Sequence, residues 1–553
     1  MRVLLIQPEA PNAYWKMPQL VRLNGKKALH PPLGLITVAA LLPPEWNLRL
    51  LDLEKDRLTP QDWEWAEMVM ISAMIVHRQS LLDLVREAKA RGKMVVVGGP
   101  HPTSQPENAL DAGCDFLVRG EAENTLPLFL AALKAGRRGV VLENPEKPDL
   151  STSPIPRYDL LKLKDYVSLG VQTSWGCPFD CEFCDVSSLF GRKVRCKATS
   201  QIMAEFETIY ELGWRREISV CDDNLIGNKG QAKEFLQQLI PWMKEHGQPF
   251  DFWTQTSVNL GQDLEMIDLM TQANFATVFI GVETPEEEAL AAAHKYHNLR
   301  DSLEESVNNI TANGLGVLAS FIVGLDGEKP GTGERIRAFV EKTAIPMVML
   351  NLLVPLPHTK LWQRLGQEGR LRPEWFDRDL VDKTLSYVPT RPEAEIMAEY
   401  YQLWEQLYEP RHFLQRAYQH ILRMRPTRAA MRKGQETPLP KSPPSSEPPL
   451  IDKIYSLLTL LRLCWRQGVL SPYRQQYWRQ FFGVYRKNPS RLVKYLGILG
   501  MGEDMFQLRE IMIENRINYH HLYSGKPAGL KRGGLGPGRD DPVSPGRSSS
   551  QRK

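Results

Sequence analysis

The sequence predicts an α/β protein built as a doubly wound parallel sheet, then a partial barrel of six β/α units, then a helical C-terminal extension. Three observations carry this. Short continuous apolar runs alternate with helical stretches over residues 1–142 and again over 166–365, the pattern of parallel strands buried on both faces. The Pro-rich segment 143–165 (ENPEKPDLSTSPIPR at its start) separates the two regions and reads as a linker. After residue 365 the strand pattern stops and helical periodicity takes over.

In the first region the predicted strands are Val3–Gln7, Leu48–Asp52, Met68–Ser72, Met94–Gly98 and Phe116–Arg119. Helical patterns fall near Gly34–Leu42, Ser80–Arg91 and Asn124–Leu133. Such a sheet presents its ligand-binding loops at the carboxyl ends of the strands. The second region offers Leu169–Ser174, Glu217–Cys221, Phe252–Ser257, Thr277–Val282, Val317–Val323 and Val348–Val354 as strands. Ser200–Leu212, Lys229–His246 and Ser302–Asn313 are among its helices. Six units over about 200 residues suit a partial barrel better than a closed one of eight. A helical extension over 366–425, a flexible linker over 426–450, further helices over 451–523 and a disordered Gly/Pro/Ser/Arg tail over 524–553 complete the expected organisation.

The 553-residue length requires several domains. Hydrophobic residues at 42% and charged residues at 24% are the balance of a soluble globular chain, and a net charge of +4 gives no support to nucleic-acid binding. No apolar run reaches the roughly 20 residues of a membrane span, and Val3-Leu4-Leu5-Ile6 reads as a buried strand rather than a leader. Seven cysteines, three of them within eight positions, suggest a metal site in a reduced, cytoplasmic protein rather than a disulfide framework.

Those three are Cys177, Cys181 and Cys184, spaced C-x3-C-x2-C directly after a predicted barrel strand. Thiolates suit an iron–sulfur cluster or zinc. Three of them leave one iron of a cubane open to a substrate, whereas a four-ligand zinc site would recruit Cys196.

This spacing, with the aromatic Phe183 before the last cysteine, resembles the radical S-adenosylmethionine superfamily. The resemblance is to its cobalamin-dependent subgroup with a C-terminal extension, which includes hopanoid methylases and bacteriochlorophyllide methyltransferases. It covers roughly residues 1–425. Pro31-Pro32-Leu33-Gly34-Leu35, Gly98-Gly99-Pro100, Gly120-Glu121-Ala122-Glu123, Asp222-Asp223-Asn224 and Gly281-Val282-Glu283-Thr284 support it.

The resemblance implies a Rossmann-like cobalamin-binding domain followed by a radical S-adenosylmethionine barrel. It implies a 4Fe–4S cluster on Cys177, Cys181 and Cys184, S-adenosylmethionine, and cobalamin as cofactors. Around S-adenosylmethionine it places Phe183, Asp222, Asp223, Ser257, Gly281, Glu283 and Gly324; around cobalamin it places Ser72, Gly98, Gly99, Pro100, Gly120 and Glu121. Strand-end turns and helix caps are the ordinary alternatives for the acidic and glycine positions.

The loop Pro8-Glu9-Ala10-Pro11-Asn12 lacks a D-x-H-x-x-G signature, so no histidine is offered to cobalt there; His77 and His101 read as loop histidines. A vestigial domain without cobalamin would show the same pattern.

The implied activity is methylation of an unactivated carbon on a hydrophobic polycyclic small molecule, with a low-potential electron donor of flavodoxin or ferredoxin type. A cobalamin-dependent cyclase without methyl transfer and a non-catalytic sensor share these motifs. A methylthiotransferase does not, because only Cys114 lies in the N-terminal region. Finally, the stretch Tyr473–Tyr495 interleaves aromatics with Arg and Lys. It fits either helices packed on the barrel with basic faces in water or peripheral contact with a membrane.

Overall fold

The computed structural model describes residues 1–11, 16–372, 385–432 and 450–523. The expected tail over 524–553, and all of the expected linker 426–450 except 426–432 and 450, lie outside the described residues.

Six parallel strands form the first sheet: β1 (Arg2–Gln7), β2 (Asn47–Asp52), β3 (Met68–Ser72), β4 (Met94–Gly98), β5 (Phe116–Arg119) and β6 (Val140–Glu143). Their order is β2-β1-β3-β4-β5-β6. Val3–Ile6 and Val95–Val97 are buried, as strands covered by helices on both faces must be. Helices Leu33–Leu41 and Ala122–Lys134 contribute Leu35, Leu126 and Phe129 to the apolar core on one face, while Arg78–Ala90 contributes Leu81, Leu84 and Val85 to that on the other. The sixth strand, Val140–Glu143, was not expected. It is a short edge strand with Val141 exposed, so its sequence carries little burial signal.

The second sheet contains β7 (Leu169–Val171), β10 (Glu217–Val220), β11 (Asp251–Thr256), β12 (Phe275–Glu283), β13 (Gly316–Val323) and β14 (Met347–Leu352), all parallel, in the order β14-β13-β12-β11-β10-β7. This is the six-unit partial barrel. Three of its helices start at side-chain caps: Asn228 accepts from the Gln231 amide, Asp263 from Met266 and Ser302 from Glu305. Where one continuous strand Leu169–Ser174 was expected, the chain breaks after Val171. Residues Ser174–Trp175 form β8 instead, paired antiparallel with β9 (Arg195–Cys196).

Close packing holds the turn after β11. A Cβ on Gly261 would lie 2.4 Å from both Cα and O of Ser306, and the Gly261 carbonyl accepts from Asn309 Nδ2 at 3.1 Å. Gly261→Ala is therefore expected to cost about 1–3 kcal/mol, read as a lower denaturant midpoint with an unchanged slope.

The C-terminal helices Glu393–Leu407, Pro410–Arg423, Leu450–Trp465, Arg474–Lys487 and Leu492–Tyr523 pack beside and beneath the barrel. Lys494, its pKa pushed down to about 8 by burial, donates to Ala276 O and Thr277 Oγ1 at the amino end of β12. Asp504 accepts from the Gln19 and Leu20 amides at 2.7 and 2.9 Å, tying this region to the N-terminal helix Pro18–Leu23. The carboxyl ends of the barrel strands are left to the loops described next.

Candidate functional site

The cysteine loop follows β8 and is held from several sides. Gly176 adopts φ +90°, and a Cβ there would lie 2.7 Å from Gly191 O, so glycine is required. Its amide donates to Asp223 at 2.8 Å. The Glu182 amide donates to Ala293 O, while the Glu182 carboxylate takes two bonds from Arg364 at 2.8 and 3.0 Å. Phe179 stacks on His297 at 3.7 Å between ring centroids.

Burial raises the pKa of all three thiols, that of Cys184 to about 12. The charges of Asp185, Cys181 and Cys177 raise Cys184 further. Cys196, on β9, is instead raised by burial and then by Asp222.

Asp223 accepts from Gly176 and so positions the approach to Cys177. Burial pushes its carboxyl up to about 6. Asp222, expected at the cofactor, has its partners within the protein. It is fully buried and accepts from the amide and hydroxyl of both Thr173 and Ser174. Those amides are the ones missing from the strand ladder after Val171, so Asp222 explains the break in the strand.

Asn224 was quoted within a motif but not singled out. Its Nδ2 lies 3.9 Å from Cys177 Sγ and donates to Ser257 Oγ at 3.1 Å, and its Oδ1 accepts from the Ser257 amide at 3.2 Å. Ser257 is thereby joined to the cysteine loop through Asn224.

At the end of β12 the chain bulges between Gly281 and Glu283, and Glu283 takes φ +65°. Glu283 Oε1 pairs with Lys295 Nζ at 2.6 Å, and a Cβ on Gly281 would lie 2.2 Å from that oxygen. The glycine thus makes room for a buried ion pair. Lys295 also lies 5.7 Å from the Phe183 ring centroid, and its charge lowers the pKa of Cys177 and Cys181 against the effect of burial.

Asn298 Nδ2 donates to the carbonyls of Gly281 and Val282 at 3.1 Å. Glu283 Oε2 and Asn298 Oδ1 are buried acceptors with no partner among the described residues. A ligand carrying an ammonium, amine or hydroxyl would satisfy them. The amino group of S-adenosylmethionine is a donor of that kind. Lys295 and Asn298 escaped sequence reasoning because only folding brings them back to β12.

Gly324 is packed against the protein itself. Its φ of +101° is used, but a Cβ would meet Tyr387 Oη at 2.7 Å; that hydroxyl bonds the Gly324 carbonyl, and the Gly324 amide donates to Glu328. The space beside Gly324 holds a tyrosine from the helical extension.

In the first sheet, Ser72 and Gly98 are register partners at the ends of β3 and β4. Gly99 (φ +103°) could carry no Cβ, which would come within 2.7 Å of Ser72 Oγ and 2.9 Å of Ala73 N and O. Pro100 opens the short helix Pro100–Ser104. The Gly120 amide donates to Thr103 Oγ1 at 3.1 Å, so these strand-end loops form one connected surface. Met74 beside them is exposed, an apolar edge suited to a large planar ligand.

The Glu121 carboxylate, expected near cobalamin, accepts from Arg195 at 2.8 and 2.9 Å, linking the first domain to the strand that follows the cysteine loop. His77 and His101 are buried rather than loop histidines, and burial lowers both to about 4, leaving neutral rings. Both His101 ring nitrogens lack partners among the described residues.

These contacts bring the two sets of strand-end loops together. Helix Val186–Leu189, directly after the cysteines, packs on Pro100–Ser104. His358, in the loop after β14, meets Ser104 O at 2.7 Å, and Ser188 Oγ donates to His358 O at 3.2 Å.

The sequence matches the B12 binding domain over residues 24–130, the radical SAM superfamily over 171–340, and a domain of unknown function (DUF4070) over 359–518. It is 44% identical to an uncharacterized methyltransferase of Synechocystis sp., over 93% of this chain and 92% of that protein. It is 33% identical to the hopanoid C-2 methylase of Rhodopseudomonas palustris, over 82% and 83% of the two chains. In fold it is similar to the cobalamin-dependent S-adenosylmethionine radical enzyme OxsB with aqua-cobalamin bound. That similarity has a TM-score of 0.56 at 15% identity and covers 95% of this chain and 81% of that one.

Proposed function

Because the chain belongs to the family of cobalamin-dependent radical S-adenosylmethionine methyltransferases, we propose that it methylates an unactivated carbon of a hydrophobic polycyclic molecule of hopanoid or tetrapyrrole type. In this reading Cys177, Cys181 and Cys184 hold the 4Fe–4S cluster, and Phe183, Asp223, Ser257, Gly281 and Glu283 surround S-adenosylmethionine. Ser72, Gly98, Gly99, Pro100 and Gly120 face cobalamin. When bound, these cofactors supply the electron that cleaves S-adenosylmethionine, the resulting 5′-deoxyadenosyl radical and the carried methyl group.

The supporting observation is the domain junction. The helix after the cysteines rests on the helix after the glycine pair, and Glu121–Arg195 and His358–Ser104 lock that contact. The chain's own part is orientation. Asp223 and Asn224 fix the loop bearing Cys177, and the Glu283–Lys295 pair presents a carboxylate oxygen without a partner among the described residues. The hopanoid part of the proposal takes its support from the hopanoid C-2 methylase likeness.

Anaerobically purified enzyme should carry about four iron, about four sulfide and about one cobalamin per chain. With S-adenosylmethionine and a reductant it should make 5′-deoxyadenosine and convert a component of lipid or pigment extracts into a product one CH2 heavier. Substrate turnover with no gain of CH2 would replace methyl transfer with a ring-forming or oxidative reaction.

A further inference from the structure

We propose that the helical C-terminal region docks the enzyme on an anionic lipid bilayer through a single apolar face ringed by arginines. The inference goes beyond methyl transfer and does not depend on the substrate.

One side of these helices belongs to the core: Leu463, Tyr477, Val484 and Tyr495 are buried. The opposite side is not covered. Leu457, Leu461, Trp465 and Val469 recur every fourth residue, and with Leu470 and Phe482 they are each 46–63% exposed.

In an α-helix every fourth position drifts around the axis by about 40°. Here the π-turn Arg466–Leu470 follows Trp465. Its wider i→i+5 winding takes more residues per turn and swings Val469 back toward the line of Leu461. The stripe is thus kept on one face by a local departure from helix geometry.

The next helix continues it. Trp478 Nε1 donates to Gly468 O at 2.8 Å, its ring fills the space where a Gly468 side chain would stand, and it stacks on Phe482 at 5.9 Å. An exposed apolar surface of this extent marks an interaction site.

Charge selects the occupant. From Lys453 to Gly502 the chain contains nine Lys and Arg and no Asp or Glu. Arg466 reaches Glu503. Arg474, Arg479, Arg486 and Lys487 are exposed and form no ion pair with a carboxylate among the described residues. Leu and aromatic side chains ringed by arginine match the headgroup boundary of an anionic bilayer. Two copies of the face would set like charges against each other, which disfavours self-association. Among the described residues no helix is long and apolar enough to cross a membrane, so the contact is peripheral.

The test is cosedimentation of the full-length holoenzyme with vesicles of phosphatidylcholine alone or containing about 30% phosphatidylglycerol. Wild type should pellet with the anionic vesicles and be released by about 0.5 M salt. Trp465→Glu/Phe482→Glu, and independently Arg479→Glu/Arg486→Glu, should each weaken binding about tenfold or more. Both pairs lie at the surface, so thermal midpoint and cobalamin content should stay at wild-type values. Wild type remaining in the supernatant overturns the proposal, as does equal binding to both vesicle types or binding unchanged in both variants. A wild-type dimer in solution that Trp465→Glu/Phe482→Glu converts to monomer also overturns it, by assigning the face to a second copy.

Discussion

Cys184→Ala is expected to lose the cluster and, with it, at least about 100-fold of 5′-deoxyadenosine formation. The Cys184 thiol has its pKa pushed up to about 12 by burial and by Asp185, Cys181 and Cys177. A thiol so disposed stays protonated and inert unless a metal takes the place of its proton. Alanine removes the ligand without filling its space, and two thiols cannot hold a cubane with one open iron. Iron and sulfide analysis after reconstitution should therefore fall with activity, while cobalamin content stays at the wild-type level because the glycine-pair loop is untouched.

Cys196→Ala is the discriminating control. Cys196 sits on the β8–β9 ribbon under the influence of Asp222, so its loss should leave iron unchanged. A variant lacking Cys184 that still makes 5′-deoxyadenosine, or one lacking Cys196 that loses its metal, would sink the cluster assignment.

Why the cysteines were readable in the sequence and much of their surroundings was not follows from where the determining interactions lie. Thiol spacing is local, and so are the apolar runs of β1, β3 and β4, whose burial on both faces leaves no polar alternation. The edge strand β6 has an exposed valine and no such run. The end of β7 is decided by a carboxylate 49 residues further on, and no pattern near Thr173 announces it.

The resemblance implied Glu121 and Gly324 as ligand contacts, and both stand just after strands, where α/β proteins bind ligands. The structure uses that same location to join domains. Arg195 takes the carboxylate of Glu121, and Tyr387 covers Gly324. Lys295 and Asn298 complete the site at β12 only because the chain returns through the turn Tyr296–Leu299, a placement that neither residue's neighbours in sequence encode.

The second large effect concerns Asp222, where the alternatives of cofactor contact and structural clamp make opposite predictions. Asp222→Ala would strip the acceptor from two amides and two hydroxyls, all at buried residues. An unsatisfied buried donor costs about 1–3 kcal/mol. The hydroxyls of Thr173 and Ser174 can rotate to other partners, but their amides are fixed, so the loss is expected to be at least about 2 kcal/mol. Asp222→Asn preserves shape yet turns one accepting atom into a donor facing donors, so it should be destabilising as well.

Both variants should unfold at lower temperature or denaturant. Folded protein, reconstituted in the cold, should bind S-adenosylmethionine within about threefold of wild type, a difference below about 0.7 kcal/mol. The converse result would restore Asp222 to the cofactor: a thermal midpoint unchanged while S-adenosylmethionine affinity falls more than about tenfold. The geometry favours the clamp, since both oxygens of that carboxylate are already bonded to Thr173 and Ser174, one to their two amides and the other to their two hydroxyls.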